Sequence, residues 1–231
     1  MGIVADGLAI LLGGLFGGKL QKRCDNGNYR ILAIGIMIVS LVGFLENVYN
    51  VQGENIVSEN LIVILFSFLL GSKLGEKLKL DEKLSNLSKT SNASMNAFID
   101  AALFFGVGGL QLSGPVLLAL NGDSGQLYIK SFVDLPFAIA FGATYGKIVS
   151  LSAFPVAAVQ ILIALIAYFC ASFFSSEMTA QLCAMGYVIL FFSGYNLMAE
   201  NQQKVNNINM LPGIFLVMII KSIWDMVGIG S

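Results

Sequence analysis

Long apolar runs separated by short polar loops occupy the chain from residue 3 onward. A membrane-crossing helix needs about 20 mostly apolar residues. Eight such segments can be drawn, at residues 3–20, 31–49, 61–78, 97–120, 128–148, 152–174, 178–199 and 208–229. The third loses its clean apolar character near Gly71, and Lys221 interrupts the eighth, so a count of seven stays open beside eight. The pattern predicts an all-α polytopic transmembrane helix bundle in one integral membrane domain, residues 1–231. The longest polar stretch, residues 73–96, begins with a charged amphipathic run. Its Leu74, Leu78 and Leu84 suit either an inner-surface helix or a solvated extension of the third segment.

Composition supports this class. Of 231 residues 56% are hydrophobic and only 12% charged, against roughly 25% charged in an ordinary soluble domain. The formal net charge of −1 gives no global attraction to nucleic acid, so none is expected as a partner. The partner that composition does imply is the lipid bilayer. No cofactor or metal is expected: there is no histidine, and Cys24, Cys170 and Cys183 lack the spacing of a thiolate site. Without histidine no nucleophile–base pair can be assembled, so enzymatic chemistry is not expected.

Charge placement sets the orientation, because lysine and arginine gather on the cytoplasmic side. Lys19, Lys22, Arg23 and Arg30 follow the first segment, and Lys73, Lys77, Lys79, Lys83 and Lys89 follow the third. With Lys147 and Lys204, 11 of the 13 basic residues fall on one face, while Glu54, Glu59 and Glu177 mark the other. The expected topology places the basic face in the cytoplasm and the N-terminus outside. Asp6 stands where a signal peptide would carry its basic residues, so the first segment is expected to remain as a helix.

The first and fifth segments align without gaps, as Asp6-x7-Gly14-x3-Gly18-Lys19 and Asp134-x7-Gly142-x3-Gly146-Lys147. The match raises a parallel internal repeat, with halves at 1–95 and 96–231, beside the alternative that positive-inside topology alone puts lysine at inner helix ends. Gly14, Gly18, Gly142 and Gly146 have the spacing that lets helix backbones approach closely. Gly142–Lys147 is one residue short of a phosphate loop and lacks a following Ser or Thr, which argues against nucleotide binding.

Polar residues inside apolar segments are the candidates for a solute or ion pathway, because lipid does not solvate them. Gln111 and Ser113 lie in Gly106-Val-Gly-Gly-Leu-Gln-Leu-Ser-Gly-Pro115, where four glycines and a proline interrupt the fourth segment. Either a discontinuous helix at a substrate site or a simple kink fits that stretch. Lys130 and Asp134 are four apart, the spacing of a same-face ion pair. Gln160 lies inside the sixth segment and Asp100 near the inner end of the fourth. For Asp100 and Lys130, extension toward the interface is the stronger expectation.

Phe105-Gly-Val-Gly108, Gly114, Lys130-Ser131-x-x-Asp134, Phe141, Gly146-x-x-Val149-x-x-Ser152-Ala153-x-Pro155-Val156 and Gln160 form one further constellation. It resembles the central signature of the bacterial domain-of-unknown-function 554 membrane proteins, the YqgA/YdfK type. The resemblance implies a bacterial cytoplasmic-membrane protein of transporter type and adds Ser152 to the pathway candidates. Leu135, Ile148 and Ile161 stand where that family carries glycines, which implies altered packing around the fifth and sixth segments. Two functions compete. One is a transporter or channel for a small solute or ion. The other is a non-transporting substrate-binding subunit or scaffold, docked through residues 73–89. Assembly as a homo-oligomer fits either.

The orientation has a direct test. Cys24 lies in the first basic loop, so an impermeant thiol reagent should label it in inverted vesicles and not in intact cells. Labelling from outside intact cells would invert the topology.

Overall fold

The computed structural model describes residues 1–19, 28–52, 55–58, 61–87, 93–106, 109–199 and 203–227. Cys24, Gly108 and the loop charges Lys22, Arg23, Glu54, Glu59 and Lys89 lie outside them. Among the described residues ten α-helices form where apolar runs were expected or beside them: α1 (Gly2–Lys19), α2 (Asn28–Val48), α3 (Leu61–Lys77), α4 (Leu80–Leu87), α5 (Ala93–Gly106), α6 (Gly109–Asn121), α7 (Gly125–Tyr145), α8 (Ala153–Phe169), α9 (Ser176–Met198) and α10 (Pro212–Val227). A short 3-10 helix, Lys147–Ser152, leads into α8, and another, Ile208–Met210, into α10.

Three features depart from a plain helix bundle. The loop after α2 forms a hairpin, with β1 (Tyr49–Gln52) antiparallel to β2 (Asn55–Ser58) and Tyr49 opposite Ser58. The charged run after residue 73 is not one continuous helix: Lys79 adopts φ 53°, which ends α3 and starts the separate α4. The fourth segment is divided, α5 ending at Gly106 and α6 beginning at Gly109, with their axes bent by 55°. The break falls at the glycines. Pro115 sits inside the regular α6, and Pro136 inside α7. Pro155 and Pro212 occupy first helical turns, where the missing N–H has no intrahelical partner to lose.

Among the described residues five helical stretches are long and apolar enough to cross a membrane, six if the bent α5–α6 pair counts as one. Lys221 does not interrupt α10: its ammonium, buried against the helix, pairs with Glu177 at 2.7 Å and Asp225 at 2.5 Å. The 21 residues of α2 reach about 31 Å at 1.5 Å per residue. The 17 residues of α3 reach only about 26 Å at 1.5 Å per residue, short of a hydrocarbon core of about 30 Å.

The helices group into two compact units. One holds residues 1–26 and 82–171, the other residues 27–81 and 172–231. Each is assembled from non-contiguous stretches.

In the first unit α1 and α7 run parallel. Gly2 faces Ser124 and Leu127 at the start of α7, and Gly18 faces Lys147 just beyond its end. Small residues make this contact. A Cβ on Gly142 would lie 2.5 Å from the Gly14 carbonyl oxygen, one on Gly14 2.7 Å from the Ser150 nitrogen, and one on Gly13 2.7 Å from Ala138 Cβ. Gly17 packs on the Ile139 backbone. Gly146 differs from the helix contact expected of it: it closes α7 at φ 88°, and a Cβ there would meet nothing within 4 Å. Its role is the turn, which the left-handed backbone reserves for glycine.

In the second unit α2 packs antiparallel on α9, with Gly43 under the Tyr187 ring and Gly194 against Ala33 and Met37. Likewise α3 packs antiparallel on α10, Gly71 against Gly213 and Gly75 against Asn209. Ser175 caps α9, accepting from the Met178 N–H at 3.1 Å.

Burial is inverted relative to a water-soluble fold. Phe132 is 78% exposed and Leu12 57%, while Asp6, Gln111 and Gln160 are fully buried. Lipid contact requires this distribution, since apolar surface loses nothing there and polar groups must find partners within the protein.

The glycine seam is testable by thermal unfolding in detergent. Gly142→Leu should destabilise the protein by about 1–3 kcal/mol, the usual range for overpacking. Gly35→Ala, where a Cβ meets nothing within 4 Å, should be neutral or stabilising by up to about 1 kcal/mol. Equal effects at the two positions would remove the seam from the account.

Candidate functional site

Within the first unit, four helices direct polar side chains to one buried cluster. On α7 the i, i+4 spacing brings Lys130 and Asp134 to one face, where they form an ion pair. The close approach of α1 places Asp6 against the same ammonium, with Lys130 Nζ donating to Asp6 Oδ2 at 2.9 Å. From α8, Gln160 Nε2 donates to Asp6 Oδ2 at 2.7 Å and to Gln111 Oε1 at 2.9 Å. On α6, Gln111 Nε2 donates to the Val156 carbonyl at 3.1 Å. The result is a continuous polar path, Asp134–Lys130–Asp6–Gln160–Gln111, ending on the α8 backbone. Every side chain in it is buried.

The electrostatics are unbalanced in one direction. One ammonium lies between two carboxylates, which leaves one net negative charge when all three are ionised. Hydrogen bonding is unbalanced as well. Among the described residues Asp6 Oδ1 and Gln160 Oε1 are buried and have no partner, and both are acceptors.

The pathway candidates divide accordingly. Asp134, Lys130, Gln160 and Gln111 belong to the connected path. Lys130 does not extend to an interface; it is buried and ion-paired. Ser113 is buried beside it on α6 but donates to Gln126 Oε1 at 2.6 Å, a separate pair between α6 and α7. Ser152 donates to the Val149 carbonyl at 2.7 Å within its own turn. Asp100 is half-buried on α5. Asn196, in the second unit, accepts from the Val205 N–H at 2.8 Å and so anchors the loop ahead of α10.

Two members of the buried set, Asp6 and Gln126, were not among the sequence candidates. For Asp6 a signal existed: the alignment of the first and fifth segments pairs it with Asp134. Gln126 gave none, since it stands at a segment boundary.

The chain belongs to the family described as Protein of unknown function (DUF554), whose profile matches residues 1–222. It is similar to "Uncharacterized membrane protein YdfK" of Bacillus subtilis (strain 168), 24% identical over 230 residues, covering 95% of this chain and 94% of that protein. It is also similar to "Uncharacterized protein YqgA" of Escherichia coli (strain K12), 25% identical over 233 residues, covering 94% of each. No solved structure matches the chain.

The buried charges make a stability prediction. Lys130→Met leaves two carboxylates uncompensated and should cost about 3–5 kcal/mol, as removing one partner of a buried ion pair does. Adding Asp6→Asn and Asp134→Asn to Lys130→Met should recover most of that loss. Unfolding in detergent measures both, and a single mutant as stable as the wild type would mean the cluster is hydrated.

Proposed function

From its membership of this membrane-protein family, we propose that the chain is a transporter or channel for a small solute or ion. One observation carries the reading: a connected path of buried polar side chains from α1, α6, α7 and α8. Apolar packing would hold these helices together at no desolvation cost, so a buried charged path argues for a use beyond cohesion. The break between α5 and α6 supports the same reading. Gln111 lies two residues into α6, and interrupted helices recur at transporter sites.

In this reading the protein sits in the bacterial cytoplasmic membrane with its N-terminus outside and its basic loops inside. Seven or eight segments cross, the short α3 spanning by local bilayer thinning. It works without a cofactor, catalyses no covalent chemistry, and is open to homo-oligomer assembly. The helix-level match of α1 with α7 is, in the same reading, the trace of a parallel repeat. The competing reading, a non-transporting subunit or scaffold, draws on the separate charged helix α4 as a docking element.

Reconstitution into liposomes with a panel of labelled ions and small metabolites decides between them. Flux of one or more probes is expected, and Asp134→Asn should lower it by about tenfold or more, equivalent to ~1.4 kcal/mol in the barrier, with insertion unchanged. No flux for any probe, or wild-type flux in the mutant, would favour the scaffold reading or a structural role for Asp134.

A further inference from the structure

We propose that Asp6 Oδ1 and Gln160 Oε1 form the binding point for one monovalent positive charge, a proton or a sodium ion. The two side chains are hydrogen-bonded, Gln160 Nε2 lying 2.7 Å from Asp6 Oδ2, and each carries one further buried oxygen without a partner among the described residues. Both residues are fully buried, and a buried acceptor without a donor is a cost that native structures rarely carry unexplained.

The chemistry of the guest follows from what the site lacks. Both bare atoms are acceptors, so the guest must donate or be cationic. An anion would need Lys130, whose ammonium is already engaged by Asp6 and Asp134. The carboxylates and Lys130 leave one negative charge when ionised, which a single positive charge cancels and a divalent ion would overshoot. A water molecule could donate to either oxygen but would leave the charge in place.

The charged groups facing Asp6 are few. They are Lys130 and Asp134 on α7, in the same cluster; Lys147, in the 3-10 helix after α7, lies against Gly18 at the far end of α1. Neither α8 nor α6 contributes an acid or base, only Gln160 and Gln111. Asp6 is therefore the acceptor of the charge and Lys130 its fixed counter-ion, an arrangement suited to coupling solute movement to a cation gradient.

That use rests on the transport reading; the binding does not, and binding is what the test measures. Purified full-length protein in detergent is followed in two ways: thermal unfolding in sodium chloride against choline chloride at constant pH and ionic strength, and infrared difference spectra on pH cycling. Either a saturable sodium-dependent rise in Tm or a pH-dependent carboxylic C=O band is expected, the first identifying sodium and the second a proton. Asp6→Asn should abolish the response and Gln160→Leu should weaken its apparent affinity by about tenfold, the worth of one acceptor. Asp123→Asn, at an exposed turn, should keep it.

Should Asp6→Asn fail to fold, Asp6→Glu retains the carboxylate and should keep the response at a shifted midpoint. Neither signature in the wild type, a signature that survives Asp6→Asn, or stabilisation by calcium instead would overturn the site. Binding without flux in liposomes would keep the site and remove the transport reading; flux with neither binding signature would do the reverse.

Discussion

Lys130 carries a charge into the buried interior of the first unit, and that unit is organised around holding it. A charged group at bilayer depth costs roughly 2.5–3.5 kcal/mol even on lenient scales, so partners must come from the protein. One comes from its own helix, Asp134 a turn away. The second, Asp6, comes from α1, and it fixes how near α1 must lie to α7. Gln160 then ties α8 to the same carboxylate, and Gln111 ties α6 to α8. Four helices are thus positioned relative to one ammonium group.

The glycine seam is the other half of that arrangement. Helices in lipid gain little from burying apolar side chains against one another, so close association depends on van der Waals fit and hydrogen bonding. An aspartate side chain is short. For Asp6 to reach a lysine on a neighbouring helix, the backbones must come closer than a seam of leucines would permit. Gly13, Gly14 and Gly17 on α1 and Gly142 on α7 supply that approach. The ion pair and the glycines therefore depend on each other: without the seam Asp6 falls short, and without the ion pair Lys130 has no second carboxylate.

The physical origin of each feature explains which parts were legible in sequence. Helix positions followed from apolar length alone, and each of the eight segments contains a helix or helix pair. Whether a segment is long enough to span was less legible, because α3 has only 17 residues and ends in a charged run that continues its helical pattern. The hairpin at Tyr49–Ser58 went unseen, since two four-residue strands leave little pattern between long helices. Same-helix relations such as Lys130 with Asp134 could be read from spacing. Relations between helices could not: the α1–α7 alignment matched Asp6 to Asp134 only as equivalent positions, and neither its burial nor its contacts with Lys130 and Gln160 follow from a pattern. Lys130 was misjudged for a related reason. Distance from a segment end suggests an escape to the interface, but a second carboxylate on another helix makes the interior the better solvent for the ammonium.

Leu135 and Ile161, where the resemblance led glycine to be expected, show where close packing is and is not needed. Leu135 on α7 is beside the seam, yet the contact there is made by its backbone: a Cβ on Gly13 would meet the Leu135 carbonyl oxygen at 2.9 Å. The Leu135 side chain itself turns outward, as does Ile161 on α8, which is half exposed. Because α1 contributes glycines at 13, 14, 17 and 18, α7 can carry larger residues wherever its own Cβ points away from α1. Gly142 is the exception, directly opposite the Gly14 carbonyl, and it is the α7 position where the seam admits no side chain. The expectation that Leu135 and Ile161 would alter packing between helices is therefore redirected. They enlarge the apolar surface offered to lipid and leave the contact that places Asp6 against Lys130 intact.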